Sequence, residues 1–522
     1  MVEVTSLPET TSTDVKDHGN SFAGELRLLS RGSSLGFVGQ AANAVLAFAF
    51  SLAVGRLFHA QGTGTFFEAL AIFTIASNVG DLGADDGLNW SLPRMRANGS
   101  FNDIRRLLPI ACIPVLVLSS LLAAALFVYA VPIGHLFNHG HNSTHLSSFI
   151  RILCPFVPVA ALVEVLIAGT RGFDRVWPLA TIWSVIMPIG RLILLPLFLA
   201  TGIGLLAVAY AWSIPIVLGA VALCWTLWTF VVKEHRLVVG DATAMPAREL
   251  ARTFWSFSAP RALASICAMA LVWLDVLLVG YLISVRMAGI YGVANRYLVV
   301  VTFALAAAGG TIAPQVSRLL AKGEVGDVRR LYQTATGWVM AVGWPLSLTL
   351  ALFAPLFMRL FGSEFRVGAT ALTILALMML YVAATGNNMV VLVMSGRTST
   401  SLWVGVITLA LNLGANLFLI PRLGINGAAL AWALSLFVSN AIITVILYRR
   451  LQLHPIGPAF LPVAAASVLL IGLPGLLFRL TLGPHWSAIV LTAVLGGGFY
   501  LYALWRLRER LELSTFFSSI RS

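Results

Sequence analysis

Four arginines and three acids stand inside long apolar runs of this chain, where ionised groups are out of place: Arg151, Arg191, Arg261 and Arg296, with Glu68, Glu164 and Asp275. In hydrocarbon such groups cost roughly 2.5–3.5 kcal/mol each on insertion scales, so each must face a partner or a water-filled cavity. Guanidinium keeps its charge and offers a planar fork of donors, which suits phosphate oxygens. Buried carboxylates can carry a proton or cation. Arg191 lies about fourteen residues into its run, roughly 21 Å at 1.5 Å per residue, too deep for easy escape to the inner interface. Arg261, beside Pro260, sits where it could face a cavity open at one end. Arg191, Arg261 and Arg296 are therefore the candidate anion-binding residues, with helix-packing partners as the alternative. Asp275 and Arg296 flank a turn near residue 286 at similar depth. They could form a structural ion pair, or a switch that opens when phosphate competes for Arg296. Asp275, Glu68 and Glu164 are the coupling or gating candidates. Arg151, and alternatively Glu164, lie near enough to a helix end to snorkel.

Weaker constellations point to bland roles. His135, His139, His141 and His145 have zinc-like spacing, but neither a cysteine nor a carboxylate completes a site. Asp81, Asp85 and Asp86 resemble the acids of a metal-dependent glycosyltransferase, yet no soluble domain accompanies them to hold a sugar nucleotide. Asn142-Ser143-Thr144 is a glycosylation sequon only in a host that modifies such sites. The four cysteines, Cys112, Cys154, Cys224 and Cys267, fall in apolar runs without ligand or disulfide spacing and read as packing residues. No metal or other cofactor is expected, and no enzymatic activity.

The elements that must position these groups follow from composition. Of 522 residues, 59% are hydrophobic and 11% charged, and mean hydropathy is +0.90. A soluble chain carries about a quarter charged residues, so the solvent here is lipid. The apolar runs are continuous and long, which excludes the alternating strands of a membrane barrel and predicts an all-α polytopic membrane protein. Six spans are expected near 33–57, 64–86, 107–131, 148–170, 177–200 and 204–231. Six more are expected near 255–284, 288–314, 332–358, 369–394, 400–421 and 426–448, with a final pair at 458–479 and 486–506. That is fourteen. Residues 1–32 read as a mobile cytoplasmic tail and not a cleaved signal, 232–254 as a charged cytoplasmic linker, and 507–522 as a second tail.

Net charge is +13, from 34 Lys and Arg against 21 Asp and Glu. In a soluble protein this would suggest nucleic acid, but here membrane topology accounts for it and no nucleic-acid partner is expected. With both termini inside, segments on the cytoplasmic side hold 24 basic residues and those outside hold 6. Basic residues in short loops stay cytoplasmic, so an even number of spans in the cell inner membrane is expected.

The chain also repeats itself. Ala97–Leu107, ANGSFNDIRRL, matches Ala321–Leu331, AKGEVGDVRRL, at an offset of 224. Val54-Gly55-Arg56-Leu57 matches Val279-Gly280-Tyr281-Leu282, and Gly64, Phe66 and Ala69 match Gly289, Tyr291 and Ala294, all at 225. Ala209-Tyr210-Ala211-Trp212 resembles Ala429-Leu430-Ala431-Trp432. Two six-helix units, 33–231 and 255–448, should therefore form two lobes of like orientation about a pseudo-twofold along the membrane normal, an arrangement that places substrate between them. Residues 449–506 have no counterpart. The RRL segments could be simple anchors or parts of an inward gate.

The segments LDVLLVGYLISVRMAGIYGVANRYLVV (274–300), APQVSRLLAKGEVGDVRRLY (313–332), LFAPLFMRLFGSEFRVGATALTILAL (352–377) and LNLGANLFLIPRLGINGAALAWALS (411–435) carry a family resemblance. It is to the polysaccharide transporter branch, the Wzx-type oligosaccharide flippases, of the multidrug/oligosaccharidyl-lipid/polysaccharide exporter superfamily. It covers most of residues 25–450. The resemblance implies a two-lobed bundle alternating between inward and outward openings. It implies a lipid-linked oligosaccharide, carried on polyprenyl diphosphate, as substrate and the bilayer as partner, with a glycan polymerase or glycosyltransferases as further partners. Two anionic charges moving outward gain roughly 4.6 kcal/mol per 100 mV, so such export needs no obligatory proton site. The alternatives are an ion-coupled exporter of small amphiphilic cations, which would need one of the three acids, and more distantly a membrane glycosyltransferase.

Overall fold

The structure, a computed structural model, describes residues 12–138, 143–235 and 245–511. His139, His141 and Asn142 of the histidine loop, and Arg236 and Asp241 of the linker, lie outside the described residues. Every element among the described residues is helical, as the continuous apolar runs require. Among the described residues twelve helices are long and apolar enough to cross a membrane, or thirteen when Val285–Arg296 and Val301–Ala321, bent by 44° to one another, count as one span.

The first of the twelve, Val38–Asp81, has 44 residues. Straight, it would be about 66 Å long, twice a hydrocarbon core. It is not straight. His59 has φ 57° and ψ −173°, a backbone region that residues with a side chain seldom occupy. Phe50 and Phe66, sixteen positions apart, have ring centroids 5.8 Å from each other, so the chain folds back at His59 into a hairpin. The expected loop over 58–63 is thus a single residue. Helix also starts earlier than expected, at Ser12, within the supposed tail.

Beyond Asp81 the chain turns through Leu82 and Gly83, both at positive φ, into a separate helix, Ala84–Ala97. The linker is likewise shorter than its charge suggests. Leu206–His235 and Ala247–Leu282 run into it from both sides, and the backbone N–H of Met245 donates to Asp103 Oδ1 at 3.1 Å.

One seam joins the two halves of the chain, residues 60–97 against 247–296, antiparallel to Ala247–Leu282 and parallel to Val285–Arg296. A Cβ on Gly64 would run into the Val285 carbonyl, and one on Gly289 into Gly64 and the Ala60 carbonyl. A Cβ on Gly280 would meet Glu68. Further along, Asn78 Nδ2 donates to Ser265 Oγ at 2.9 Å, and Gly83 and Gly87 press on Ser258. Trp90 stacks on Phe257 at 4.5 Å. Small residues let these helices approach without help from a hydrophobic effect, which lipid does not supply.

The last two spans, Phe460–Leu482 and Trp486–Arg506, each contain a π-helical turn and pack against Val325–Leu352. Tyr500 Oη donates to the Ala341 carbonyl at 2.9 Å, and Trp338 Nε1 to that of Leu511 at 2.7 Å.

Candidate functional site

Most of the buried ionisable groups share one layer. Counting about 1.5 Å per residue from the ends of their helices nearest His59, Glu68, Asp275, Arg191 and Arg296 lie some 11 to 17 Å deep. Different helices deliver them to that layer, and their partners decide what each can do.

Arg191 sits on Met187–Ala200, which continues a π-helical stretch, Leu179–Ile186. The stretch packs against the first helix, with Gly39 on Ala180. Arg191 is 8% exposed, and its Nε has no hydrogen-bond partner. Its guanidinium lies 3.6 Å over the ring of Trp212. Trp212 is itself held by Phe50 at 5.6 Å and Phe66 at 5.5 Å, so both arms of the hairpin support it. The cation is stabilised by a ring quadrupole instead of a carboxylate, which leaves its charge uncancelled.

Arg296 closes Val285–Arg296 and lies over two rings, Phe67 at 5.0 Å and Trp273 at 5.1 Å. The sequence suggested an ion pair with Asp275. The structure replaces it: Asp275 accepts from Tyr291 Oη at 3.0 Å and from Asn416 Nδ2 at 2.7 Å, and Asn416 also donates to Asn412. Depth was right and direction was wrong. Residues 273 and 275 point roughly 200° apart around a helix, so Trp273 takes the arginine while Asp275 turns toward Asn412 and Asn416.

Arg261 is not a free cleft cation. Its Nε donates to Asp86 Oδ2 at 2.7 Å, with both side chains part-exposed, and this ion pair ties the two halves together at the end of the seam farthest from His59. Asp86 therefore belongs to a contact between halves and not to a metal triad; among the described residues no group of three ligating side chains could hold a metal ion. Asp81 is buried with Oδ1 unpartnered, and Glu164 lies near Asp85 and Arg171. Glu68 is fully buried against Gly280, and neither carboxylate oxygen has a hydrogen-bond partner. Arg151 is exposed near Phe127, in keeping with an anchor.

The His59 end is closed by Glu364. Its Oε1 accepts from Ala60 N–H at 2.8 Å and lies 3.3 Å from His59 Nδ1, while Oε2 is 3.5 Å from Arg286 Nε. Arg56 donates to the Leu360 carbonyl alongside. With Asp86–Arg261 at the other end, both ends of the seam are shut in this conformation.

Sequence reasoning passed over Trp212, Phe67, Trp273, Asn412, Asn416 and Glu364. Trp212 had a signal, since it recurs as Trp432 in the duplication, and the two asparagines are one helical turn apart in an apolar run. Nothing in the sequence marked Glu364.

Comparison with known proteins adds relatives. Residues 29–320 match the family described as "Polysaccharide biosynthesis protein", and residues 260–418 match MatE. Two curated relatives are from Haloferax volcanii. The probable low-salt glycan biosynthesis flippase Agl15 is 27% identical over 208 residues, 39% of this chain and 43% of that protein. The probable flippase AglR is 25% identical over 319 residues, 59% of this chain and 63% of that protein. The matches thus span less than two thirds of either relative. Among solved structures, the lipid II flippase MurJ in an inward closed conformation superposes with a TM-score of 0.68 at 12% identity, covering 91% of this chain and 99% of MurJ. An inward-facing multidrug resistance MATE transporter gives 0.61 at 17%, over 78% of this chain and 94% of that one. At these identities the two structures share the fold with this chain, and only that.

Proposed function

Because the chain belongs to the polysaccharide biosynthesis protein family, matched over more than half its length, we propose that it is an alternating-access flippase. Its cargo is a lipid-linked oligosaccharide, or a related polyprenyl-diphosphate-linked envelope precursor, carried from the inner to the outer leaflet. The observation that carries this reading is the pair of guanidiniums, buried Arg191 and half-buried Arg296, each stabilised by aromatic faces and neither cancelled by a carboxylate. An isolated anion in low dielectric costs of order 20 kcal/mol by Born arguments, and uncancelled cations offset that only for an anionic cargo. The lipid tail stays in the bilayer while the headgroup passes between lobes.

Counting the two arms of the His59 hairpin separately, and Val285–Ala321 as one broken span, gives fourteen crossings with both termini cytoplasmic. Residues 33–231 and 255–448 are then the lobes, and the His59 end faces outward. The contact of Gly64 with Gly289 supports a pseudo-twofold. These are duplicated positions, and equivalent points can touch only on the symmetry axis. Phe137 and Phe361, 224 positions apart, each reach over the other lobe, toward Tyr281 and onto Gly55 respectively. Asp86–Arg261 is the inner latch and Glu364 the outer one.

Glu68, buried without a partner, favours keeping a second reading, an ion-coupled exporter of amphiphilic cations in which Glu68, Asp275 or Glu164 carries the coupling ion. Depletion decides between them. A glycan-bearing lipid diphosphate building up on the inner leaflet supports the flippase; restored drug sensitivity with normal glycan export supports the exporter.

A further inference from the structure

Arg296 and Trp273 belong to the second half of the chain and Phe67 to the first. The guanidinium is therefore met by one ring from each half, with Phe67 5.0 Å and Trp273 5.1 Å from it. The fit of Phe67 is built. The ring is fully buried and lies against Gly292, one helical turn before Arg296, where any Cβ would run into it. Trp273 is also buried. Rings from both halves crowd the half-buried guanidinium, and its N–H donors remain the groups that an anion can reach. Donors held rigidly in a dry environment bind charge more strongly than hydrated, mobile ones.

We propose that Phe67 is a positioning residue that ties the anion affinity of Arg296 to the arrangement of the lobes. The proposal rests on the flippase reading and names the device by which the site releases its cargo. While the halves meet along the seam, both rings cover Arg296 and the diphosphate is held. When the halves part at the His59 end, Phe67 leaves with its own helix, one guanidinium face is hydrated, and the diphosphate is released on that side. The affinity change needs no second ligand, because the motion that opens the path also dismantles half of the binding platform.

The test uses the purified full chain with inorganic pyrophosphate as the probe in calorimetric titration, alongside flipping of a polyprenyl diphosphate in proteoliposomes. Phe67→Leu keeps apolar bulk and removes the π face; Phe67→Tyr keeps the face. Gly292→Ala displaces the ring without altering it. Phe67→Leu and Gly292→Ala are expected to weaken pyrophosphate binding about tenfold, with Phe67→Tyr within about twofold of wild type and Arg296→Ala abolishing the Arg296-dependent heat. In flipping, the half-saturating concentration should rise with little change in maximal rate. Equal effects of Phe67→Leu and Phe67→Tyr, unchanged binding in Phe67→Leu, or no pyrophosphate binding by wild type would overturn the proposal. Binding in the expected pattern by a chain that flips no lipid diphosphate would instead overturn the flippase reading.

Discussion

Arg191 and Arg296 differ from Arg261 in what faces them, and the difference sets what each substitution should do. Arg191→Ala removes a cation that no carboxylate answers, so it should leave membrane insertion intact and lower apparent affinity for the lipid diphosphate by about 10- to 100-fold, the range of one charged hydrogen bond. Arg191→Lys keeps charge and loses the planar stack on Trp212, and should fall between the two. Concentration dependence of flipping in proteoliposomes reads both. Asp275 is different again. Asn416→Ala would take away its 2.7 Å donor and leave Asp275 with the Tyr291 hydroxyl, at a cost of about 1–3 kcal/mol, seen as a lower thermal midpoint with no glycan present. The sequence showed which ionisable residues stand within apolar helices and roughly how far along them. It could not show direction, because rotation about a helix axis is settled by packing: Asp275 and Arg296 share a layer and still find separate partners.

At the scale of elements, apolar runs predicted where spans lie, and interruptions within them escaped. The loop expected between the first two spans is one residue, His59, since the ends of the hairpin are covered by Glu364 and need no polar connection of their own. The π-helical stretch before Arg191 and the break after Arg296 are equally silent in composition, because they alter hydrogen-bond register and leave residue type unchanged. Gly87→Ala tests the seam as an element. Its Cβ would strike Ser258 and Phe254, so the inner ends of the two helices should separate. Cysteine pairs across residues 90 and 257 should then cross-link more slowly than in the parent chain. An unchanged rate would show that the seam yields elsewhere.

For the whole molecule, closure at both ends rests on a few contacts between the halves. The Asp86–Arg261 pair is part-exposed, and such pairs contribute about 0–1 kcal/mol, enough to change the open population by no more than about fivefold. Asp86→Arg with Arg261→Asp should restore whatever either single change loses, measured as spin-label distances across the inner ends. Glu364→Ala removes the acceptor for Ala60 N–H at the other end, and should shift the population toward opening at the His59 end in the same measurement. The duplication is legible because both halves keep ANGSFNDIRRL-like segments. Less legible was how unequally the copies are used: Asp103 holds the backbone of Met245 near the end of the linker, while its duplicate Asp327 is exposed.

Where Gly64 meets Gly289, the two halves have no room for even a methyl group. Thickness added at this crossing acts as a wedge that props the two backbones apart over the neighbouring turns, so substitution there is confined to hydrogen.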